Sequence, residues 1–193
     1  LPLPFYKLYA HNLSLGTDYK HFDEDLGFAG ENITTPVTYL LFSARYRSSL
    51  DDAGGATRLD AGLRFAARGV VTDVDEIADK RYDARASFAV ITLGLERDQK
   101  LWWGASARLG TEIQAADRSL ISNEQYSAGG MGSVRGYHES EASGDEALRA
   151  SVELKAPDLA ALVKVSGFIH CAPYLFYDVA RLSINNPLPG QEK

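Results

Sequence analysis

Arg58-Leu59-Asp60-Ala61-Gly62-Leu63-Arg64-Phe65-Ala66-Ala67-Arg68 changes character at almost every step. Leu59, Ala61, Leu63, Phe65 and Ala67 fall on one side of an extended chain, and Arg58, Asp60, Gly62, Arg64 and Arg68 on the other. A strand turns successive side chains to opposite faces, so this period predicts a β-strand with one apolar and one charged face. Helical winding would scatter the same residues around a cylinder.

The same alternation recurs on both sides. Upstream, Thr38, Leu40, Phe42, Ala44 and Tyr46 oppose Ser43, Arg45 and Arg47. Downstream, Trp103, Ala105, Ala107 and Leu109 oppose Ser106, Arg108 and Glu112. Leu148, Ala150, Val152 and Leu154 oppose Arg149, Ser151, Glu153 and Lys155, and Leu175, Tyr177 and Val179 oppose Tyr174, Phe176 and Asp178. Less regular stretches at Leu13–Tyr19 and Ala84–Arg97 complete about seven strands of roughly ten residues, longer than the five or six usual in soluble sheets. The connections alternate in length. Asp51–Ala56 and Asp98–Lys100 are short, whereas His21–Asn32, Gly69–Asp83 and Ile113–Ala147 are long and polar. Outer-membrane barrels show this asymmetry, with tight periplasmic turns and long external loops. The expected fold is therefore all-β, an antiparallel transmembrane β-barrel. Trp102, Trp103, Tyr46, Tyr126 and Tyr137, near the expected strand ends, suit its aromatic girdles.

The chain of 193 residues is 45% hydrophobic and 24% charged, a balance suited to a folded domain. A formal charge of −6 excludes a general nucleic-acid binder, which needs a basic face for phosphates. No run approaches the roughly eighteen apolar residues of a membrane-spanning helix, but a spanning strand needs apolar residues only at alternate positions. Seven strands is an odd count for a closed bacterial barrel, and an open edge in lipid would leave backbone groups unpaired. Further strands are expected on both sides, with any export signal upstream of Leu1-Pro2-Leu3-Pro4.

The longest connection contains Asn123-Glu124-Gln125-Tyr126-Ser127-Ala128-Gly129-Gly130, followed by Ser133-Val134-Arg135-Gly136-Tyr137. Paired glycines permit a tight turn, and Arg135 between Val134 and Gly136 can project a guanidinium from a sharp tip. Some thirty residues without regular structure of their own would be unusual unless functional or disordered.

These residues resemble the sixth extracellular loop of the Omp85 superfamily, and their wording is most similar to two-partner secretion transporters of the haemolysin and haemagglutinin type. Ala150–Pro157 and Leu175-Phe176-Tyr177-Asp178-Val179-Ala180 resemble the next two strands of that family, so the clear likeness covers about Ile121–Leu182. The resemblance implies a fragment of a sixteen-stranded barrel, with upstream periplasmic domains and the final strands outside this sequence. It implies a loop folded back into the lumen, with Gly129, Gly130, Val134, Arg135, Gly136 and Tyr137 as the transport motif and Asp178 as the inner-wall partner of Arg135. Parity agrees for Asp178, which lies opposite Leu175, Tyr177 and Val179, and makes Glu153 the second candidate. Arg45, Arg64, Arg108 and Arg149 are then lumen-facing charges. The implied function is translocation of a secreted polypeptide cargo across the bacterial outer membrane, with the lipid bilayer as the other partner and no cofactor, metal or catalytic residue.

Three other functions compete with this one. An assembly factor of the same superfamily would insert clients into the membrane; a soluble β-barrel would bind an apolar ligand; a passive pore would need no protein partner. Other constellations are weak. His11, His21, His138 and His170 lack metal-ligand spacing. Ser133 and His138 have no nucleophile elbow around them. Asp23-Glu24-Asp25 and the set Asp73, Asp75, Glu76, Asp79 lack the glycine and terminal glutamate of a calcium loop and read as solvated. Gly54-Gly55 is a turn without phosphate-binding context, and Cys171 has no cysteine partner.

Overall fold

A computed structural model of the chain describes residues 8–23, 25–28, 31–34, 36–67, 69, 74–160 and 171–190. In chain order the strands are β1 (Tyr9–Phe22), β2 (Asp25–Phe28), β3 (Glu31–Thr34), β4 (Val37–Asp52), β5 (Gly55–Ala66), β6 (Phe88–Lys100), β7 (Ser106–Ala116), β8 (Tyr126–Ala128), β9 (Ala142–Gly144), β10 (Glu146–Lys155) and β11 (Tyr174–Ser183). A short helix, α1 (Val74–Lys80), lies between β5 and β6. Seven of the strands form one antiparallel sheet in the order β1-β4-β5-β6-β7-β10-β11. Each strand thus lies beside its predecessor in the chain, and the hairpins β2–β3 and β8–β9 are excursions from this meander. Among the described residues β1 and β11 each have one neighbour, so the sheet is open at both edges.

The register sorts the side chains into two faces. Leu15, Ala44, Leu63 and Ile91 stand opposite one another across four strands on the outer face. Many of these residues are bare: Leu15 is 74% exposed and Leu175 76%. A continuous apolar face of this kind needs an apolar medium, because each square ångström removed from water stabilises by roughly 25 cal/mol. On the inner face Arg47, Asp60, Gly94, Glu112 and Arg149 form the corresponding row. None of the described helices is long and apolar enough to cross a membrane.

The inner face has two zones. Towards the short turns it is charged. Towards the long connections it is apolar: Val37, Tyr39 and Leu41 of β4 with Phe88 and Val90 of β6 bury Ile77 of α1 and Leu120 and Ile121 from the β7–β10 connection. Here β4 and β6 are apolar on both faces, which is why alternation blurs in the sequence around 84–97. Asp75 and Glu76 in the first turn of α1 and Lys80 in its last suit the helix dipole. Glu76 also accepts a hydrogen bond from the Thr38 amide at 2.8 Å.

Several expectations need correction. The strands outrun the alternating segments: β1 has 14 residues and β4 has 16. Residues 48–52 of β4 are polar on both faces apart from Leu50, so the pattern there is unreadable. Trp102–Gly104 forms a 3₁₀ turn, so Trp103 and Ala105 precede β7 instead of opening it. Ala84 and Ala86 are buried beneath the inner face but lie before β6. The long connection runs from 117 to 145 and has structure of its own, a 3₁₀ turn at Ser122–Glu124 and the β8–β9 hairpin. The 69–83 connection contains α1, and β1 and the β2–β3 hairpin occupy much of 21–32. At the short-turn end the β10–β11 connection, 156–173, is longer than a turn. Arg68, Glu24, Asp73 and His170 lie outside the described residues.

Candidate functional site

The site begins as a patch of wall. Ser151 of β10 stands in register with Asp178 of β11, and Glu153 with Phe176. The Ser151 hydroxyl donates to Asp178 Oδ1 at 2.7 Å. Asp178 is 1% exposed at its side chain, a carboxylate removed from water that needs strong partners. Arg135 supplies them. Its Nε donates to Asp178 Oδ2 at 2.7 Å and its Nη2 to Oδ1 at 2.9 Å, the two-pronged geometry a planar guanidinium makes with a carboxylate. Its backbone N–H donates to Asp178 Oδ2 at 3.1 Å, and Nη1 reaches Glu153 Oε2 at 2.7 Å. The guanidinium carbon lies 3.7 Å from the centre of the Phe176 ring, a cation–π contact.

Local backbone chemistry delivers the arginine. Gly129, Gly130 and Gly136 have φ of 118°, 83° and 97°, where side chains strain the chain. A Cβ on Gly129 would lie 2.1 Å from the His138 carbonyl oxygen. The Gly130 amide donates to the Tyr137 carbonyl at 3.1 Å, closing the turn around Arg135. Ser133 braces it from inside, accepting from the Gly129 amide at 2.8 Å and donating to its carbonyl at 2.7 Å. Val134 is buried beside the arginine, whereas the Tyr137 side chain is exposed and its part in the turn is its carbonyl.

Arg149 fastens the flank of the loop. Its Nε donates to the Ser133 carbonyl at 2.7 Å and its Nη1 to Glu112 Oε1 at 2.8 Å. Tyr126 donates to Glu112 Oε2 at 2.7 Å, so its ring lies on the inner side and takes no part in an outer girdle. Burial, and then the neighbouring Glu112 carboxylate, push the Tyr126 phenol up. Arg45 pairs with Asp60 at 2.7 Å, Arg108 with Asp98 at 2.7 Å, and Arg64 with Glu124 at 3.0 Å. Arg45, Arg58, Arg108 and Arg135 also line a cavity of about 1250 Å³ between the loop and the wall.

The base of the same connection holds residues that sequence reasoning missed. Glu124 is 0% exposed at its side chain and accepts from Lys20 at 2.5 Å, Tyr39 at 2.8 Å and Arg64 at 3.0 Å. Asp145, equally buried, takes both prongs of Arg81, at 2.5 and 2.8 Å, and amide hydrogens from Leu120 and Asn185. Burial alone would raise the Asp145 carboxyl. Hydrogen bonds from Arg81, Gln125 and the two amides reverse this and hold it below the ordinary carboxylate range. Glu124 was already in view as part of the loop wording; the only sequence signal for its role was a lone acid in an otherwise neutral stretch, Ser119–Ser127.

A family model described as haemolysin secretion/activation protein ShlB/FhaC/HecB matches residues 32–191. The chain belongs to this family. Its members are bacterial outer-membrane β-barrels that transport secreted partner proteins in two-partner secretion. The match takes in β4 through β11 and the whole Arg135 connection. No curated protein matches the chain. Membership in the family accounts for the bare outer face, since the wall of a membrane barrel meets lipid there. It also explains charges on the face opposite, which lipid would exclude.

Proposed function

We propose that the chain is the barrel portion of a bacterial outer-membrane transporter that passes one secreted polypeptide through its lumen. Arg135, held by Asp178 and Glu153, keeps the loop in the position that transport requires. The supporting observation is the Arg135 box: a loop residue seated on two wall acids, a wall serine and an aromatic ring. Surface loops do not ordinarily place a guanidinium against a carboxylate that is 1% exposed.

Physically, the cargo enters as an unfolded, extended chain. Its backbone meets a wall of Arg45, Arg64, Arg108 and Arg149, each already paired to an acid or carbonyl, so no single side chain grips it tightly. Polar contacts that form and break without a deep minimum suit a sliding chain. Folding outside supplies the direction, and no covalent step is involved. Further strands beyond β1 and β11 close the wall, and periplasmic domains receive the cargo.

The test compares the proteins in culture medium and outer membrane with and without the parent gene. Loss of one large secreted protein, with membrane barrels unchanged, is expected. A joint fall of many membrane barrels would make this an assembly factor instead. No change in either would favour a passive pore or a soluble binder of apolar ligands. Reversing Arg135 and Asp178 each in turn should abolish secretion; wild-type export from both variants would remove them from the mechanism.

A further inference from the structure

We infer that the base of the β7–β10 connection is a second latch, independent of the Arg135 tip, and that Glu124 is the positioning residue that closes it. This rests on the transport reading above. The tip and the base hold opposite sides of the sheet. The Arg135 side chain bonds to β10 and β11. The Glu124 carboxylate is held by Lys20 of β1, Tyr39 of β4 and Arg64 of β5, while Gln114 of β7 donates to its carbonyl at 3.3 Å. No residue is shared between the two sets of partners. The connection therefore lies across the inner face from one edge strand to the other, pinned at each end.

The chemistry of the two pins differs. Arg135 sits beside the charged zone of the inner face, where water and cargo can reach the cavity. Glu124 borders the apolar zone. Leu120 and Ile121, four and three residues before it, are buried with Ile77, Tyr39, Phe88 and Val90. Opening the base would expose these apolar side chains and would strand a buried carboxylate, so charge pairing and apolar packing resist movement together. Release of Arg135 leaves this seal in place. The mouth beside the long connections stays covered until the Glu124 contacts break, and a passing polypeptide must displace them.

The experiment uses the full-length parent protein. In planar bilayers, Glu124→Gln removes the charge while keeping size and one acceptor. It should raise open-channel occupancy at least about ten-fold over wild type, as expected when one state loses a buried ion pair, with the heat-modifiable folded form retained. An occupancy equal to wild type in folded protein would overturn the latch. If this variant does not fold, Lys20→Gln, which keeps the Glu124 carboxylate with its Tyr39 and Arg64 bonds, decides: open-channel occupancy should rise at least about three-fold, and an occupancy equal to wild type would overturn the latch. Export from cells carrying the wild-type protein separates the two readings: a pore opened by Glu124→Gln in a wild type that exports nothing would leave the latch standing and sink the transport function.

Discussion

The tip and the base of one connection solve the same electrostatic problem with opposite signs. At the tip the loop brings a cation, Arg135, to acids on the wall; at the base it brings acids, Glu124 and Asp145, to cations at Lys20, Arg64 and Arg81. The carboxylates are buried at both ends, Asp178 at 1% exposed and Glu124 and Asp145 at 0%, and the base differs in lying against the apolar zone. Releasing Arg135 strands the Asp178 carboxylate but leaves the apolar zone covered. Buried acids backed by Leu120 and Ile121 cannot leave without desolvated charges and apolar surface being uncovered together. The difference separates a contact suited to cycling from one suited to sealing.

The sharpest way to break this comparison is at the wall. Asp178→Ala leaves the Arg135 guanidinium without its two-pronged partner, and losing one member of such a pair costs roughly 3–5 kcal/mol. Export should fall to background, and protease should cut the loop near Arg135 while β8–β9 stays protected; equal cleavage at tip and base would mean that the two ends move as one. Glu153→Gln is milder, because Asp178 still holds Nε and Nη2. A loss of about 1–2 kcal/mol is expected, read as partial export.

Gly129→Ala tests the turn apart from any charge. Its φ of 118° and the 2.1 Å approach of a Cβ to the His138 carbonyl predict about 1–3 kcal/mol of strain. This should show as partial export with the melting temperature of the barrel unchanged. Acid sharpens the comparison at the base. Asp145 is depressed in the folded state, so its contribution is complete above the ordinary carboxylate range and is lost as pH falls through the lowered folded value. The Leu120 amide, which donates to Asp145 Oδ1 at 3.0 Å, should keep its hydrogen-exchange protection from neutral pH down to that range and lose it below. Protection independent of pH would show that packing alone holds the base. The smallest effect belongs to Arg45→Gln. The Arg45–Asp60 pair is half-exposed, and such pairs contribute about 0–1 kcal/mol; melting temperature and export should stay near wild type.

Much of this was legible from residue order. Alternation places Arg45, Arg64, Arg108 and Arg149 on one face and Leu63, Leu148 and Val152 on the other, because strand geometry is local and the medium differs on its two sides. Parity also sets Asp178 and Glu153 on the inner side. The base is different. Lys20 and Glu124 are 104 positions apart and Arg81 and Asp145 are 64 apart, and no periodicity links them. Asp75, Glu76 and their neighbours read as a solvated acidic loop, yet Ile77 among them anchors the apolar zone.

Local chemistry by itself determined the strands, their two faces, the glycine-bounded turn around Arg135 and the family wording, since each depends on neighbours within a few residues. Beyond the Arg135 pairing that the resemblance implied, tertiary structure alone decided which charges meet. A carboxylate such as Glu124 finds Lys20, Tyr39 and Arg64 only after the meander has brought β1, β4 and β5 side by side and the connection has folded across them. Burial then turns an ordinary acid into one whose loss would leave two cations facing an apolar seal.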